Sequence, residues 1–595
     1  MEQNSLSQSS PESKSVSSGA FFLILTFFFV SGATGLIYEV IWTRLLLNVF
    51  GASLYAVATV LAAFMGGLAL GGLIGGRIAD KVARPLRLYG IIEVLEAVTA
   101  LLVPHMLGLF DPLYEAVYST HQPSFIGISL LRFVLCFLVL LVPTTCMGAT
   151  LPLLSRFLVR RQDALGGRIG ALYTVNTTGA VIGTFLAGFV LIAHLGVAAT
   201  VFLAGSLGLL MGIGVIFLSF RLESDVVEGW QDVLPEADTP AEEAETSPAP
   251  ESAEDIPEGL SEITPGLARL VLVLYGVSGF IALAYQVLWS RTLPFSFEYL
   301  KNTTYSFSAM LTVFLIGLAA GSAIMSSQID RQRSPLRLFG LLQILIGVSG
   351  ILSLRMLTGL SDSIPLIGPY NADTNTFNWG LAVFNIFVRT ALTIGLPTLL
   401  MGMTFPVAAR ICVRHLKSVG TGTGRLYAVN TLGAILGSFA AGFLIVPVLG
   451  LAGGIVALGI ANLVLGLIVF LANPRLNTQA RVVWAICEGL FILFVLLIID
   501  TERSFQPLDP GHTLIAYEEG PLATVAVTED SLGYRSILVD GVNVAGTEPY
   551  MLTDQKSLAH VPALLLENPK KALTVGFGSG GASWSYLQYK EFEQV

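Results

Sequence analysis

The stretch SGATGLIYEVIWTRLL at 31–46 returns as SGFIALAYQVLWSRTL at 278–293. Three more phrases repeat in the same order. PLRLYGIIEVLEAVTALL (85–102) returns as PLRLFGLLQILIGVSGIL (335–352), and PTTCMGATLPLLSR (143–156) as PTLLMGMTFPVAAR (397–410). GALYTVNTTGAVIGTFLAGF (170–189) returns as GRLYAVNTLGAILGSFAAGF (424–443). The offsets run from 247 to 254 residues. Each phrase lies in or beside an apolar run of about 20 residues, the length that crosses a bilayer core. The duplication therefore predicts two homologous bundles of six membrane helices. Six is even, so both copies enter from the same side, as a parallel repeat about an axis normal to the membrane.

Thirteen apolar stretches reach from 20–43 to 482–499, twelve in the two copies and one after them. The predicted organisation is a polar, Ser-rich disordered tail (1–18), membrane repeat 1 (19–220) and a linker (221–265). Membrane repeat 2 (266–473), a thirteenth helix (480–500) and a soluble region (501–595) follow. The whole chain of 595 residues is 54% hydrophobic and 12% charged, with mean hydropathy +0.74. Globular proteins carry about 25% charged residues. An ordinary soluble enzyme, a disordered chain and a nucleic-acid binder are excluded. The 61 glycines show no G-X-Y period and suit close helix packing in lipid. Cys136, Cys146, Cys412 and Cys487 form no CxxC pair, which argues against a disulfide framework or a cysteine metal site.

Arginine and lysine fix the orientation. Arg77, Lys81, Arg84 and Arg87 follow helix 2, and Arg156, Arg160, Arg161 and Arg168 follow helix 4. Arg331, Arg333 and Arg337 follow helix 8, and Arg410, Arg414, Lys417 and Arg425 follow helix 10. The intervening loops hold almost none, so the N-terminus is placed in the cytoplasm. The linker between the copies carries fourteen acidic residues over 222–265 and no Lys or Arg. Like charge without apolar residues makes a self-repelling tether. The chain's formal net charge of −9 comes from this tether, and the remainder is net positive.

Charge inside a membrane marks function by default. Glu39, Glu93, Glu96 and Arg132 in the first copy, Arg389 in helix 10 and Glu488 in helix 13 are such positions. The repeat sets Glu39 against Gln286, Glu93 against Gln343 and Glu96 against Ile346. Carboxylates confined to one copy are candidates for a membrane cation or proton site, or for pairing with Arg132. Tyr38/Tyr285, Trp42/Trp289, Arg44/Arg291 and Asn176/Asn430 are shared and read as common scaffold, an aromatic belt and helix-end anchors. GLALGGLIGG (67–76) reads as a packing seam.

After 501 the pattern changes. HTLIAYEE, LATVAVTED and YRSILVDGVNVAG alternate as short strands of a small antiparallel sheet. SLAHVPALLLEN reads as a helix. A strand at Ala572–Val575, a glycine turn at Gly576–Gly581 and a helix from about Ala582 follow. Strand, glycine turn and helix form the context in which backbone amides hold an adenosine-bearing molecule. The spacing departs from GxGxxG and is nearer the GxGxG turn of S-adenosyl-type folds.

The run LVDGVNVAGTEPYMLTDQKSLAHVPALLLENPKKALTVGFGSGG (538–581) resembles the start of the catalytic domain of spermidine synthases. GLIYEVIWTRLL, MGATLPLL and LYTVNTTGAVIGTFLAGF resemble the membrane part of bacterial fused membrane/spermidine-synthase-like proteins, whose bundle is major-facilitator-like. The turn GGRIADKVARPLR after helix 2 resembles the cytoplasmic loop of that superfamily. The resemblance implies a multi-pass protein of the bacterial inner membrane and a Rossmann-like, methyltransferase-type domain beginning near residue 570. It implies a transferase of polyamine biosynthesis, with decarboxylated S-adenosylmethionine as co-substrate at Gly576, Gly578, Ser579, Gly580 and Asp554.

The chain departs from that family at Ser579, where an Asp is usual, and at Asp554, Gln555 and Lys556, where Tyr-His-Glu is usual. The family's catalytic residues fall beyond Val595 and remain unassigned, and a complete domain takes on the order of 150 further residues. The expectation is that these 595 residues do not catalyse aminopropyl transfer alone. Three functions stay open: membrane-bound aminopropyl transfer, transport of a cation or polyamine with a regulatory tail, and a non-catalytic partner. An odd number of spans puts the tail outside, unless 482–499, marginal in length and carrying Glu488, does not cross.

Overall fold

The computed structural model describes residues 18–50, 54–109, 112, 116–117, 119–120, 125–159, 164–223, 263–297, 299–301, 304–363, 368–371, 374–499, 505–506, 508, 510–520 and 523–595. The predicted disordered tail and nearly all of the acidic linker lie outside these residues.

The first copy builds α1 (Ser18–Phe50), α2 (Leu54–Ala79), α3 (Pro85–Gly108), α4 (Phe125–Leu158), α5 (Leu165–Leu186) and α6 (Ile192–Leu222). The second builds α7 (Pro265–Thr292), α8 (Thr304–Ser326), α9 (Pro335–Ser363), α10 (Trp379–Cys412), α11 (Val419–Ala440) and α12 (Val446–Ala472). A thirteenth helix, α13 (Thr478–Ile498), follows. Among the described residues, ten helical runs are long and apolar enough to cross a membrane. Two of them, Leu165–Leu222 and Leu416–Ala472, are double length. Each reverses at a glycine with positive φ, Gly196 (76°) and Gly450 (69°), a conformation only glycine adopts without strain. With both arms of each hairpin and the glutamate-bearing α3, thirteen crossings result.

The repeat is visible atom by atom. Asn176 Nδ2 donates to Phe28 O at 3.2 Å, and Asn430 Nδ2 donates to Tyr275 O at 3.0 Å. A Cβ on Gly179 would lie 1.9 Å from Phe29 O, and one on Gly433 1.8 Å from Gly276 O. Lipid supplies no hydrophobic drive between helices, so backbone contact across glycine replaces it. The seam at 67–76 works in this way on two sides. Gly67, Gly71 and Gly75 meet α4, while Gly72 and Gly76 meet Gly420 and Gly424 of α11.

Between the copies, α2 packs on α11 and α5 packs on α8. An axis normal to the membrane converts one contact into the other. At the basic-loop end, Asp80 accepts from the amides of Gly420 (2.9 Å) and Thr421 (2.7 Å) and lies 3.9 Å from Arg156. In register, Asp330 accepts from Gly167 N (2.9 Å) and lies 3.8 Å from Arg410. Each acid caps a helix of the opposite half.

The soluble region carries the antiparallel sheet β3–β4–β5–β6, formed by Thr513–Glu519, Thr524–Glu529, Arg535–Val539 and Val542–Gly546. A hairpin of β1 (Tyr370–Asn371) and β2 (Thr376–Phe377) precedes it, between α9 and α10. Helices α14 (Pro549–Leu565) and α15 (Gly581–Tyr586) complete the chain's described elements. The expected strand at Ala572–Val575 does not form. Lys571 makes one parallel bridge, to Gln594. A parallel strand is stabilised by neighbours along its length, and here Leu573 and Val575 stand 87% and 91% exposed.

Candidate functional site

Glu93 and Glu96 stand one turn apart on α3 and are 1% and 2% exposed. They face α1, with Ser31 and Tyr89 flanking Glu93 and Tyr38 within the field of both carboxyls. Tyr38 stacks on Trp42 (5.3 Å between ring centroids), and Trp42 tilts against Phe64. Five buried polar atoms of this cluster have no hydrogen-bond partner among the described residues: Tyr38 Oη, Trp42 Nε1, Tyr89 Oη, Glu93 Oε1 and Glu96 Oε2.

The second copy repeats the scaffold and closes it. Tyr285 stacks on Trp289 at 4.8 Å. Tyr285 Oη donates to Ile455 O (3.1 Å), Trp289 Nε1 to Ser353 Oγ (3.1 Å) and Gln343 Nε2 to Ser278 Oγ (3.2 Å). Only Gln343 Oε1 is left over in that set. In the first copy the position in register with Ser353 is Val103, which offers Trp42 nothing.

The reading of Tyr38, Trp42, Tyr285 and Trp289 as an aromatic belt is therefore corrected. All four are 0–1% exposed and line the interior of their own half. A belt residue faces the lipid headgroups. These rings instead point inward, Tyr38 and Trp42 from α1 and Tyr285 and Trp289 from α7. The sequence signal that would have found them is the repeat itself, since Tyr and Trp four residues apart beside an acid face the same side of a helix.

Glu39 does not join Glu93 and Glu96. It is buried (5% exposed) on the part of α1 whose field reaches Tyr427 of α11. Tyr173 of α5, in register with Tyr427, stacks on Phe405 at 4.4 Å. The three glutamates thus divide between the core of the first half and the seam between halves. The Arg132 side chain lies outside the described residues. Arg389 donates to Ser296 O at 2.9 Å, and Glu488 is buried on α13 with neither oxygen hydrogen-bonded among the described residues.

In the tail, Gly576, Gly578 and Gly580 have φ of 84°, 55° and 78°. A Cβ on Gly576 or Gly578 would meet nothing within 4 Å, so the turn opens to solvent. Ser579 Oγ contacts Gln555 Oε1 of α14. Asp554, one position earlier, is exposed. The structure thus sets Gln555 against the turn where the resemblance suggested Asp554. Two further contacts tie α14 to the following residues: His560 Nδ1 to Tyr589 Oη at 2.7 Å and Lys556 over the Trp584 ring at 5.5 Å.

The sheet docks on the second half alone among the described contacts. Arg291, at the end of α7, lies 3.6 Å from Asp540 and donates to Thr524 Oγ1 at 3.1 Å. Lys301 Nζ donates to Gly541 O at 3.2 Å, and Leu451 N to Glu519 Oε2 at 2.5 Å. Phe505 stacks with Phe295. These groups sit at the end of the bundle opposite the basic loops. The start of α13 is at the basic end, where Arg475 donates to Arg333 O (2.6 Å) and Ser334 Oγ (2.9 Å). Helix α13 therefore runs the full depth of the bundle, as its 21 residues allow at 1.5 Å each.

No protein-family model matches the chain. Polyamine aminopropyltransferase 2 of Streptomyces coelicolor is 30% identical over 211 residues, 34% of this chain and 34% of that protein. Polyamine aminopropyltransferase of Mycobacterium tuberculosis is 27% identical over 214 residues, 35% of this chain and 40% of that protein. The chain thus spans little more than a third of the length of these curated relatives. Solved structures that align with it include the human organic anion transporter MFSD10 (TM-score 0.45, 12% identity, 75% of this chain, 99% of that one). Another is the major-facilitator proton:xylose symporter XylE (TM-score 0.46, 12% identity, 77% of this chain, 97% of that one). The chain has a duplicated multi-pass membrane bundle and is similar over about a third of its length to polyamine aminopropyltransferases.

Proposed function

We propose that the bundle carries a small cation or polyamine, with protons exchanged at Glu93 and Glu96, and that the tail handles the same class of molecule at the bundle's outer end. The observation that carries this reading is the asymmetry of the copies. Two carboxyls with unpartnered oxygens lie buried where the other half has Gln343 and Ile346. Ionisable groups inside a bundle mark ion and proton paths. Gaining and losing a proton gives the first half two charge states, which can bias rocking about the α2–α11 and α5–α8 seams. Glu39 and the Tyr427 ring supply an anion and a π-face to an ammonium group at the seam. The polyamine class comes from the names of the curated relatives. With the basic loops in the cytoplasm of a bacterial inner membrane, residues 501–595 lie outside.

The test is uptake of radiolabelled spermidine into proteoliposomes holding the full chain, with and without a pH gradient. Gradient-driven uptake should fall at least tenfold in Glu93→Gln/Glu96→Gln, and Glu39→Gln should raise KM. Liposomes that take up neither polyamine nor inorganic cation would sink the transport reading. A double variant with unchanged pH dependence would sink the proton role.

A second reading is favoured by the glycine turn and the curated relatives. Decarboxylated S-adenosylmethionine would lie along Gly576–Gly580, and the tail would transfer its aminopropyl group. We expect no methylthioadenosine release from the 595-residue chain, because Leu573 and Val575 stand in solvent and not in a sheet that would fix the turn. Detecting that product in a purified preparation would restore the enzymatic reading.

A further inference from the structure

The two copies end differently at the basic face. In the first, the chain leaving α6 turns Glu223 onto the start of α3, where Leu86 N donates to Glu223 Oε1 at 2.8 Å. Burial pushes this carboxyl up, while the Leu86 and Arg87 amides and the Arg87 and Arg84 guanidiniums pull it down. Arg87 also covers the Phe220 ring at 4.1 Å. The first-turn amides of a helix have no partner within it, and the N-terminal dipole favours an anion. Glu223 supplies that anion from within the chain.

In the second copy no carboxylate among the described residues takes the same place. Helix α12 ends at Ala472, and Pro474 diverts the chain. Asn477, in register with Glu223, turns away and accepts from Ala480 N (2.8 Å) to cap α13. Asn473 Oδ1 accepts from Arg475 N at 3.0 Å. A shallow groove, partly open to solvent, remains at the start of α9. Ser334, Arg337 and Arg475 line its polar side, Ile263 and Leu267 line its apolar side, and among the described residues no acidic side chain lines it. Leu336, whose counterpart Leu86 donates to Glu223, is also on the wall.

We infer that this groove is a binding site for the phosphate of an anionic phospholipid, which takes the place that the Glu223 carboxylate occupies in the first half. Basic pockets between membrane helices on the positively charged face suit such headgroups. Backbone amides at a helix start and two guanidiniums match a phosphate's oxygens. The Ile263 and Leu267 side chains give the acyl part an apolar wall leading into the bilayer. The inference stands apart from the transport reading, since none of these residues belongs to the carboxyl cluster.

The experiment measures thermal stability of the full chain in detergent against added phosphatidylglycerol, phosphatidylcholine or inorganic phosphate. Phosphatidylglycerol should raise Tm by several degrees and the other two should not. In Ser334→Asp, which puts a carboxylate at the start of α9 beside Arg475, the lipid-free Tm should rise and the phosphatidylglycerol shift should fall by more than half. Arg337→Gln should lose the shift without gaining lipid-free stability. Equal shifts with both phospholipids would overturn the inference, as would a full shift with inorganic phosphate or one kept intact in Ser334→Asp.

Discussion

The two halves of the bundle share a backbone plan and differ in what they leave unfinished. Among the described residues the first half leaves one oxygen of Glu93 and one of Glu96 without a partner, together with Tyr38 Oη and Trp42 Nε1, and its helix start at the basic face is capped by its own Glu223. The second half finds partners for Tyr285, Trp289 and the Gln343 amide, keeps neutral Gln343 Oε1 and Asn462 as its leftover groups among the described residues, and carries the sheet on its outer end. A duplicated fold can thus divide its labour. One copy keeps internal charge, and the other keeps an ordered core on which a further domain can sit. The same contrast holds at Gly196 and Gly450. A Cβ at the first would meet nothing within 4 Å, whereas one at the second would lie 2.9 Å from Glu519 of the sheet.

The largest expected effects test what the halves share. Gly179→Ala and Gly433→Ala each drive a methyl into a backbone carbonyl of the neighbouring helix. Each should cost about 3 kcal/mol or more, because backbone cannot step aside as a side chain can. Both should lower Tm and the yield of monodisperse protein in size-exclusion chromatography. Tolerance of one and not the other would show that the halves pack by different rules.

Next come the carboxyls. Glu93→Gln with Glu96→Ile gives the first half the second half's residues. Removing buried, unpartnered acceptors should raise stability by about 1–3 kcal/mol while uptake is lost. Gln343→Glu, the reverse change, should lower stability by a similar amount. Thermal denaturation of the two variants reads this directly, and a destabilised first-half variant would mean that the carboxyls have partners after all.

Asp80→Ala and Asp330→Ala remove equivalent caps from α11 and α5, and each should cost about 1–2 kcal/mol. Hydrogen exchange at Gly420–Thr421 in one variant and at Gly167 in the other should rise together if the axis relates the two contacts. The smallest effects concern the outer end. Arg291→Ala should loosen the sheet and speed proteolysis near Gly520 several-fold. Arg44→Ala, its exposed counterpart, should change nothing. Equal sensitivity of both would remove the assignment of the sheet to the second half.

Much of this was legible in the residues. The repeated phrases gave the duplication, and the length of the apolar runs gave thirteen crossings. Three strand stretches followed from alternation, the third of which the structure splits at Asp540–Gly541 into β5 and β6, and the glycine turn appears with the positive φ its residues suggest. The strand before it was misread. Ala572–Val575 has strand composition, but composition says nothing of whether a neighbouring strand stands beside it. The carboxyls were found by their charge alone. That Glu39 stands apart from Glu93 and Glu96 was not legible, because consecutive residues such as Tyr38 and Glu39 point about 100° apart on a helix and serve different neighbours.

The sequence by itself determined the number of crossings, the parallel duplication and the inequality of its copies in charge. These follow from hydropathy and register, which are properties along the chain. The tertiary structure decided which of two identical residues is satisfied. Trp42 and Trp289 are the same residue in the same phrase, yet Trp289 donates to Ser353 while the matching position for Trp42 is Val103, which accepts nothing. It also set the sheet at the end opposite the basic loops and on one half. Hydrogen bonds and ion pairs are made between helices far apart in sequence, so a buried group's fate depends on a residue that its own segment does not contain.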